Sequence, residues 1–276
     1  MEIGSEAHKD LFCRTFLEGH RVYEPKDLPW PDLAPETLAL LRGVSFWNFA
    51  LQAECDAGPM VHAAARLQDD ALVRDALALQ GEEETRHGRI IRHMIEIYGI
   101  DVDDVRPATP KDAEGAYIDF GFEECLDSFG AFGLFALARE SKLVPEPLFE
   151  IFDRVMDEEA HHIVFFVNWF AWRERRRGAV ANWLRVPRSL WHYGKVLRHL
   201  AGLLGGGDEG ADEAFTLTGA KAFVENLTPR RVIETSIAEN RRRMAPFDDR
   251  LLQPRLLPGL ARLGAATLRL LPTRAS

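Results

Sequence analysis

The chain has 276 residues, of which 46% are hydrophobic, so it has ample material for a buried core and is not an intrinsically disordered chain. Its three cysteines include no CxxC pair, which argues against a disulfide scaffold and against a cysteine-ligated zinc or rubredoxin-type iron site. The net charge of −9 is unevenly distributed: residues 1–170 hold 15 basic and 33 acidic side chains (−18), whereas residues 171–276 hold 19 and 10 (+9).

The start of the chain lacks the basic-then-apolar pattern of a secretory signal, and no run of 18 apolar residues is long enough for a membrane span. We therefore expect a cytoplasmic protein.

Proline punctuation and helical periodicity divide the chain into three regions. Residues 1–34 predict an irregular N-terminal arm. A helical pattern then runs from Pro35 to about Leu67, with a kink or break expected at Gly58–Pro59. Further helices are predicted at about 70–98, 114–142 and 147–176, and no segment alternates with period two. The predicted fold class is all-α, with residues 35–177 forming one helical domain.

Residues 178–276 predict a basic extension of shorter amphipathic helices, separated by the glycine-rich stretch 202–210. Leu and Trp alternate with Arg, Lys and His along it. This pattern suits burial against the preceding domain, docking of an acidic partner, or contact with an anionic membrane surface. No nucleic-acid-reading motif accompanies the charge, so we expect no nucleic-acid partner.

The predicted helix 70–98 carries an E-x-x-H motif in the middle of an apolar stripe. Glu84 and His87 are three residues apart and therefore share one helix face. A carboxylate and an imidazole buried together need a cation or a hydrogen-bond network to offset their desolvation. The stripe consists of Val73, Leu77, Gln80, Glu84, His87, Ile91, Met94 and Tyr98.

The predicted helix 147–176 repeats the motif in two possible registers, Glu158/His161 and Glu159/His162. Asp157 before Glu158 matches the acidic residue before Glu84, and on that ground we prefer Glu158/His161. The Glu159/His162 register lies on the cleaner apolar stripe and stays open as the alternative.

Each E-x-x-H helix is preceded by a helix with a glutamate at a similar offset. Glu54 lies thirty residues before Glu84, and Glu124 lies thirty-four residues before Glu158. The likeness of Ala53-Glu54-Cys55 to Glu123-Glu124-Cys125 indicates a duplicated helix pair and favours Glu124 over Glu123. Two helices that each donate a Glu, and two that each donate Glu-x-x-His, make the ligand set of a dinuclear carboxylate site.

With these motifs, residues 36–175 resemble the ferritin-like di-iron carboxylate superfamily, which includes rubrerythrins, the small subunit of ribonucleotide reductase and the bacterial multicomponent monooxygenases. The resemblance implies an antiparallel four-helix bundle with two irons, or a mixed Mn/Fe pair, and O2 as co-substrate. The implied ligands are Glu54, Glu84 and His87 for one ion and Glu124, Glu158 and His161 for the other, with Glu84 and Glu158 bridging.

Residues around the ligands suggest supporting roles. Glu83 and Asp157, or the nearby Asp127, are candidates to accept a hydrogen bond from a ligating histidine, and a solvated carboxylate explains each of them equally well. Ser128, one turn after Glu124, is a candidate proton relay by resemblance to the multicomponent monooxygenases, although a serine bonded to its own helix is the simpler reading. The aromatic residues Trp47, Phe120, Phe135 and Phe165 would exclude water, but ordinary core packing explains them equally well.

The functional expectation follows by elimination and resemblance. A rubrerythrin-type peroxidase needs a rubredoxin module with four cysteines, which the three scattered cysteines of this chain cannot form. The chain is also longer than expected for an iron-storage protein. We expect a di-iron oxidase or oxygenase acting on an apolar or carrier-bound organic substrate, with an external electron donor such as a ferredoxin or reductase. A ferroxidase, storage or peroxidase protein without an organic substrate is the alternative, and a homodimer is compatible with either.

Overall fold

The computed structural model describes residues 1–44, 46–205 and 227–270. These residues form ten α-helices and a short 3-10 turn at Pro25–Asp27, and they contain no strand, so the all-α prediction is confirmed for them. The helices are α1 (Glu6–Gly19), α2 (Pro35–Arg42), α3 (Trp47–Arg66), α4 (Ala71–Tyr98), α5 (Ala113–Ser141), α6 (Glu146–Arg176), α7 (Ala179–Trp183), α8 (Arg185–Gly205), α9 (Pro229–Met244) and α10 (Leu256–Leu270).

Four long helices, α3 to α6, enclose a common interior. Helix α3 packs along α4 and also contacts α5, while α6 contacts α5 and α4. The predicted bounds of α4, α5 and α6 are correct to within one residue at each end. Local signals explain this accuracy: the Asp70 side chain caps the start of α4 by accepting from Leu72 N and Val73 N, and Gly99 ends that helix with φ 58°.

Of the kink or break predicted at Gly58–Pro59, the break is wrong, because α3 continues through both residues with Pro59 inside the helix. The helical segment is instead interrupted between α2 and α3, where α2 ends at Arg42 with Gly43 as its C-cap and α3 begins at Trp47. A Cβ at Gly58 would overlap the Thr85 side chain of α4, and one at Gly81 would come within 2.8 Å of His62 Nδ1. These glycines therefore permit α3 and α4 to approach closely rather than ending a helix.

The irregular arm predicted for residues 1–34 is also wrong in its first half, where α1 forms. The Ser5 side chain caps α1 by accepting a hydrogen bond from His8 N at 3.2 Å. Phe12 and Phe16 are buried and contact Phe165 of α6, with ring centroids 5.5 and 5.0 Å away. Beyond Gly19 the chain is non-helical up to α2 apart from the 3-10 turn, and this part reaches α4.

The basic C-terminal region packs on the acidic helices. Helices α8 and α9 lie against α5, and α10 contacts α9 and α5. Arg243 is buried and pairs with Asp153 and Asp157 of α6. Of the predicted glycine-rich stretch 202–210, residues 202–205 belong to α8 and the others lie outside the described residues. Within the described ranges, no helix combines the length and apolar character needed to cross a bilayer.

Candidate metal centre

Six side chains from α3, α4, α5 and α6 converge in the interior between these helices. They form two groups of metal-ligand type that share Glu159, and within each group the ligand atoms lie within 4.8 Å of one another. The first group is Glu54, His87 and Glu159, and the second is Glu84, Glu124, Glu159 and His162.

Two carboxylates face both histidines. Glu84 presents Oε1 to His162 Nδ1 at 3.0 Å and Oε2 to His87 Nδ1 at 3.6 Å. Glu159 presents Oε1 to His87 Nδ1 at 3.1 Å and Oε2 to His162 Nδ1 at 3.4 Å. A carboxylate with one oxygen directed to each half of a site is positioned to bridge two cations.

The other two carboxylates are terminal. A Glu54 oxygen lies 3.7 Å from His87 Nδ1, and a Glu124 oxygen lies 4.0 Å from His162 Nδ1. Donor atoms that share one ion through bonds of roughly 2.1 Å lie about 3 Å apart or slightly more. The separations therefore suit two adjacent metal positions.

Three buried polar atoms directed at this centre form no hydrogen bond of good geometry with the described residues, although carboxylate oxygens lie 3.1 and 3.0 Å from the two nitrogens. They are His87 Nδ1, His162 Nδ1 and Glu124 Oε2. Buried polar groups are nearly always satisfied, because leaving one unsatisfied costs on the order of 1–3 kcal/mol. Both histidine rings are almost fully buried, at 1% and 0% exposure. Metal ions would satisfy all three atoms at once, so the donor set fits a metal site.

The electrostatics of the cluster favour added positive charge. Burial opposes ionisation of His87 and His162, yet the surrounding carboxylates raise the pKa of each well above its ordinary value. Burial also raises the pKa of Glu54 to about 7, and burial with the charge of Glu84 raises that of Glu124 well above normal. A cluster that holds extra protons in this way is one that cations would stabilise.

A second pair of carboxylates orients the histidines, in a crossed arrangement. His87 Nε2 lies 2.8 Å from Glu158 on α6, and His162 Nε2 lies 2.9 Å from Glu83 on α4. With Nε2–H donating to the carboxylate, Nδ1 of each ring is directed at the centre, where its deprotonated form would be available to ligate an ion. The acid before each E-x-x-H motif thus supports the histidine of the other motif.

These supporting carboxylates are themselves held in place. Glu158 accepts hydrogen bonds from Arg86 at 2.8 Å and from the Tyr23 hydroxyl at 3.0 Å. Glu83 lies 2.6 Å from His20 Nδ1. Burial would raise the pKa of Glu83, but its bonds to His162 and His20 outweigh burial and lower it to about 2.

Sequence reasoning missed His20, Tyr23 and Arg86. The first two lie 63 and 135 residues from the carboxylates they contact, and no local pattern signals such pairs. It also missed that Gln80 donates to Glu84 at 3.2 Å and accepts from the Tyr117 hydroxyl at 2.9 Å. The place of Gln80 on the apolar stripe was the available signal.

The preferred register Glu158/His161 requires correction, because the structure brings Glu159 and His162 into the cluster instead. The His161 ring turns away from the centre, where Nδ1 donates to Asp157 O at 2.8 Å and the ring contacts Phe247. Successive helical residues are rotated by about 100°, so only one register can face the interior. Both registers follow an acid, so that criterion could not separate them, whereas the cleaner apolar stripe could.

Other candidates lie outside the cluster. Glu123 is half-buried beside Glu124, and the latter occupies the interior. Asp157 pairs with Arg243 rather than with a histidine. Asp127 approaches neither histidine, and burial with the charge of Glu123 raises its pKa to about 7. Ser128 is buried one turn after Glu124, and its proton-relay role stays a prediction.

An apolar cavity of about 240 Å³ adjoins one side of the cluster. Among the described residues, Glu54 and His87 are the only ionisable side chains that line it, and its walls include Trp47, Met94 and Phe135. Of the aromatic residues considered from sequence, Phe120 and Phe165 do not line this cavity and pack elsewhere in the core. The cavity therefore connects an apolar space to the Glu54/His87 half of the centre.

No protein-family model matches the chain, and searches of curated proteins and of solved structures found no significant match.

Proposed function

We propose that the protein is a ferritin-like di-iron oxidase or oxygenase that activates O2 and acts on an apolar organic substrate. The observation that carries the proposal is the pair of carboxylates, Glu84 and Glu159, that each direct one oxygen to each of two buried histidines. Together with one terminal glutamate per half, they make a donor set for two adjacent cations.

The chemistry of the donors favours iron or manganese. Four carboxylates with two neutral imidazoles form a mainly hard ligand set, which suits iron or manganese. Copper(I) is selected by softer thiolate and thioether ligands. The four carboxylates carry four negative charges, which balance two divalent ions. When bound, such a pair of irons would supply the capacity to reduce O2 with electrons from an external donor, for which a ferredoxin or a reductase is the proposed source.

The chain's own residues would prepare the site for this chemistry. Glu158 and Glu83 hold the imidazoles in the orientation and tautomer that ligation needs. The cavity wall excludes water from the Glu54/His87 half, and its apolar lining would bind a hydrocarbon portion of the substrate. In the part of the chain that the structure describes, no ionisable group other than Glu54 and His87 lines this space, so we propose that the part of the substrate inside it is uncharged.

The two candidate registers on α6 provide a matched test. His162→Ala should lower the iron content, measured by mass spectrometry after anaerobic Fe(II) loading, whereas His161→Ala should keep the wild-type content. Loaded wild-type protein should show near-ultraviolet absorption after exposure to air, and should consume O2 in proportion to added iron. Equal iron content in the two variants would refute the metal assignment.

A second measurement separates an oxidase from a storage protein. In aerobic Fe(II) titration, uptake should stop at two irons per chain, and further O2 consumption should need an added reductant. Deposition of many irons per chain would instead establish the storage alternative.

A further inference from the structure

A basic segment free of acidic residues begins at the end of α6. Between Glu174 and Asp208 the sequence contains no aspartate or glutamate, although it contains six arginines and one lysine. Residues 1–170, in contrast, have a net charge of −18. The cations of this segment lie at the end of α6 and on α8, while α7 between them is uncharged, so the region around α7 is locally basic on a predominantly acidic protein.

The same segment exposes large apolar side chains. Trp183 and Trp191 are 77% and 61% exposed, and Val180, Val186 and Leu190 are 72%, 60% and 51% exposed. Val186 and Leu190 are four positions apart and share one face of α8, and Trp191 broadens it. On α7, Val180 and Trp183 are three positions apart and share a face of that helix. We call Val180, Trp183, Val186, Leu190 and Trp191 the apolar face of α7–α8.

The opposite side of α8 is fixed to the protein, so this face cannot turn inward. Tyr193 is buried, and the His192 ring stacks on Phe122 of α5 at 4.9 Å with an interplanar angle of 4°. His192 also lies 2.9 Å from Asp119 of α5, which pairs with Lys195 as well. The apolar face is therefore held outward by contacts on its other side.

Exposed cations flank the face. Arg176 precedes α7, and Lys195 and Arg198 follow on the next turns of α8, Lys195 being about half exposed while it pairs with Asp119. Exposed tryptophans with neighbouring Lys and Arg are typical of helices that lie in the boundary between lipid headgroups and acyl chains. Trp and Arg are also common in protein interfaces, but an exposed apolar face with cations at both ends and no acidic side chain complements a uniformly anionic surface, which a phospholipid bilayer provides.

We propose that α7–α8 docks the protein on anionic phospholipid membranes, with Trp183, Leu190 and Trp191 inserted into the interface and the basic residues near the headgroups. Docking of this kind lies in the plane of the interface and needs no membrane-spanning helix. The proposal does not depend on the metal centre, since none of these residues belongs to it.

Vesicle flotation with the full chain tests the proposal. The wild-type protein should float with vesicles of phosphatidylcholine and phosphatidylserine, and should bind vesicles of phosphatidylcholine alone more weakly. Binding should weaken at high salt, because the screening length falls from roughly 8 Å at physiological ionic strength to about 3 Å at 1 M. Tryptophan fluorescence should shift to shorter wavelength on binding.

The double variant Trp183→Ser/Trp191→Ser should lose binding by on the order of tenfold or more, since two large side chains leave the interface. The matched control is Leu67→Ser, which removes an apolar side chain that is 59% exposed at the end of α3. It should bind vesicles like the wild type, and circular dichroism should show all three proteins equally helical.

Three results would overturn the proposal: no binding of the wild type to anionic vesicles, equal binding of the double variant, or loss of binding in the Leu67 control. If light scattering shows that the double variant dissociates a wild-type oligomer while vesicle binding is unchanged, the face is an interface between copies of the chain instead.

Discussion

The α3–α4 and α5–α6 helix pairs supply the same donors to the cluster, yet their surroundings differ. Each pair contributes one terminal glutamate and one Glu-x-x-His motif. The Glu54 side chain is 22% exposed and lines the apolar cavity with His87. In the other half, Glu124 is 10% exposed, and His162 packs near Phe16 of α1, with ring centroids 5.8 Å apart. A repeated ligand set thus has one half open to a cavity and one half closed.

The residues one turn after the two terminal glutamates also differ between the two halves. Three positions after Glu54 is Ala57, whereas three positions after Glu124 is Asp127. The supporting carboxylates differ too, since Glu158 is bound by Arg86 and Tyr23 and Glu83 by His20. The comparison teaches that the donors repeat while the environments have diverged, so equivalent substitutions in the two halves should have unequal effects.

The largest expected effect comes from removing a bridge. Glu159→Ala deletes a donor that faces both histidines and should abolish binding of both ions, whereas Glu54→Ala should leave one ion bound in the closed half. Metal stoichiometry after Fe(II) loading measures this difference. Glu123→Ala, next to the cluster in sequence but outside it, should keep both ions. Loss of only one ion in Glu159→Ala would show that this carboxylate does not bridge.

Next in size is the pair of supporting carboxylates. Glu158→Gln and Glu83→Gln should each weaken metal binding by about 10–100-fold, the usual cost of losing a partner of a ligating histidine. Glu158→Gln should in addition destabilise the metal-free protein by about 3 kcal/mol, because the buried Arg86 cation loses its carboxylate partner at 2.8 Å and keeps the more distant Glu83 at 3.7 Å. Glu83→Gln should cost less, since Arg86 keeps its 2.8 Å contact with Glu158 in that variant. Denaturant unfolding of both metal-free variants tests this order, and equal losses would contradict it.

How far the sequence predicts the molecule is visible in these residues. Helices α4 to α6 were predictable because periodicity, the Asp70 cap and Gly99 are local signals, and four of the six clustered residues follow directly from the motif spacing. The α6 register was not resolved by the acidic-neighbour criterion, because Asp157 and Glu158 both provide an acid. His20 and Tyr23 were not predictable, since their contacts with Glu83 and Glu158 join distant parts of the chain. Signals for α1 are present in Ser5 and in the Phe12/Phe16 spacing. They were overlooked because the prolines after residue 24 made the whole of residues 1–34 look irregular.

The cavity on the open half gives a prediction about substrate. Met94→Ala enlarges the cavity beside His87 and should shift activity towards bulkier apolar substrates with unchanged metal content. Leu77→Ala removes a buried side chain that does not line the cavity, and provides the control. Both should cost roughly 2–5 kcal/mol of stability, as large-to-small core changes do. A change in substrate preference in both variants, or in neither, would show that the cavity does not bind the substrate.

Asp127, which has only Ala57 as its counterpart in the open half, should make stability depend on pH. Burial and the charge of Glu123 raise its pKa to about 7, above the ordinary 3.8. The folded chain therefore holds a proton that the unfolded chain releases between these values, and wild-type stability falls as pH rises from about 4 to about 7. Asp127→Asn removes this loss, so it should be more stable than the wild type by about 2 kcal/mol at pH 8, allowing for partial exposure of the side chain. The two proteins should have similar stability near pH 4, and a constant difference across the pH range would contradict the assignment.

The smallest effect concerns Tyr23, the hydroxyl partner that Glu158 has and Glu83 lacks. Tyr23→Phe removes one hydrogen bond of 3.0 Å to Glu158 but keeps the ring beside Arg86, whose guanidinium lies 4.4 Å from the ring centroid. Because Arg86 and His87 still hold the carboxylate, the free energy of unfolding should fall by only about 1 kcal/mol, and metal content should be unchanged. Tyr23→Ala also removes the contact between cation and ring and should lose further stability. Denaturant unfolding of both variants measures the two contributions separately. A loss of iron in Tyr23→Phe as large as that in Glu158→Gln would show that the hydroxyl itself orients the carboxylate, and that the N-terminal segment is part of the machinery of the open half.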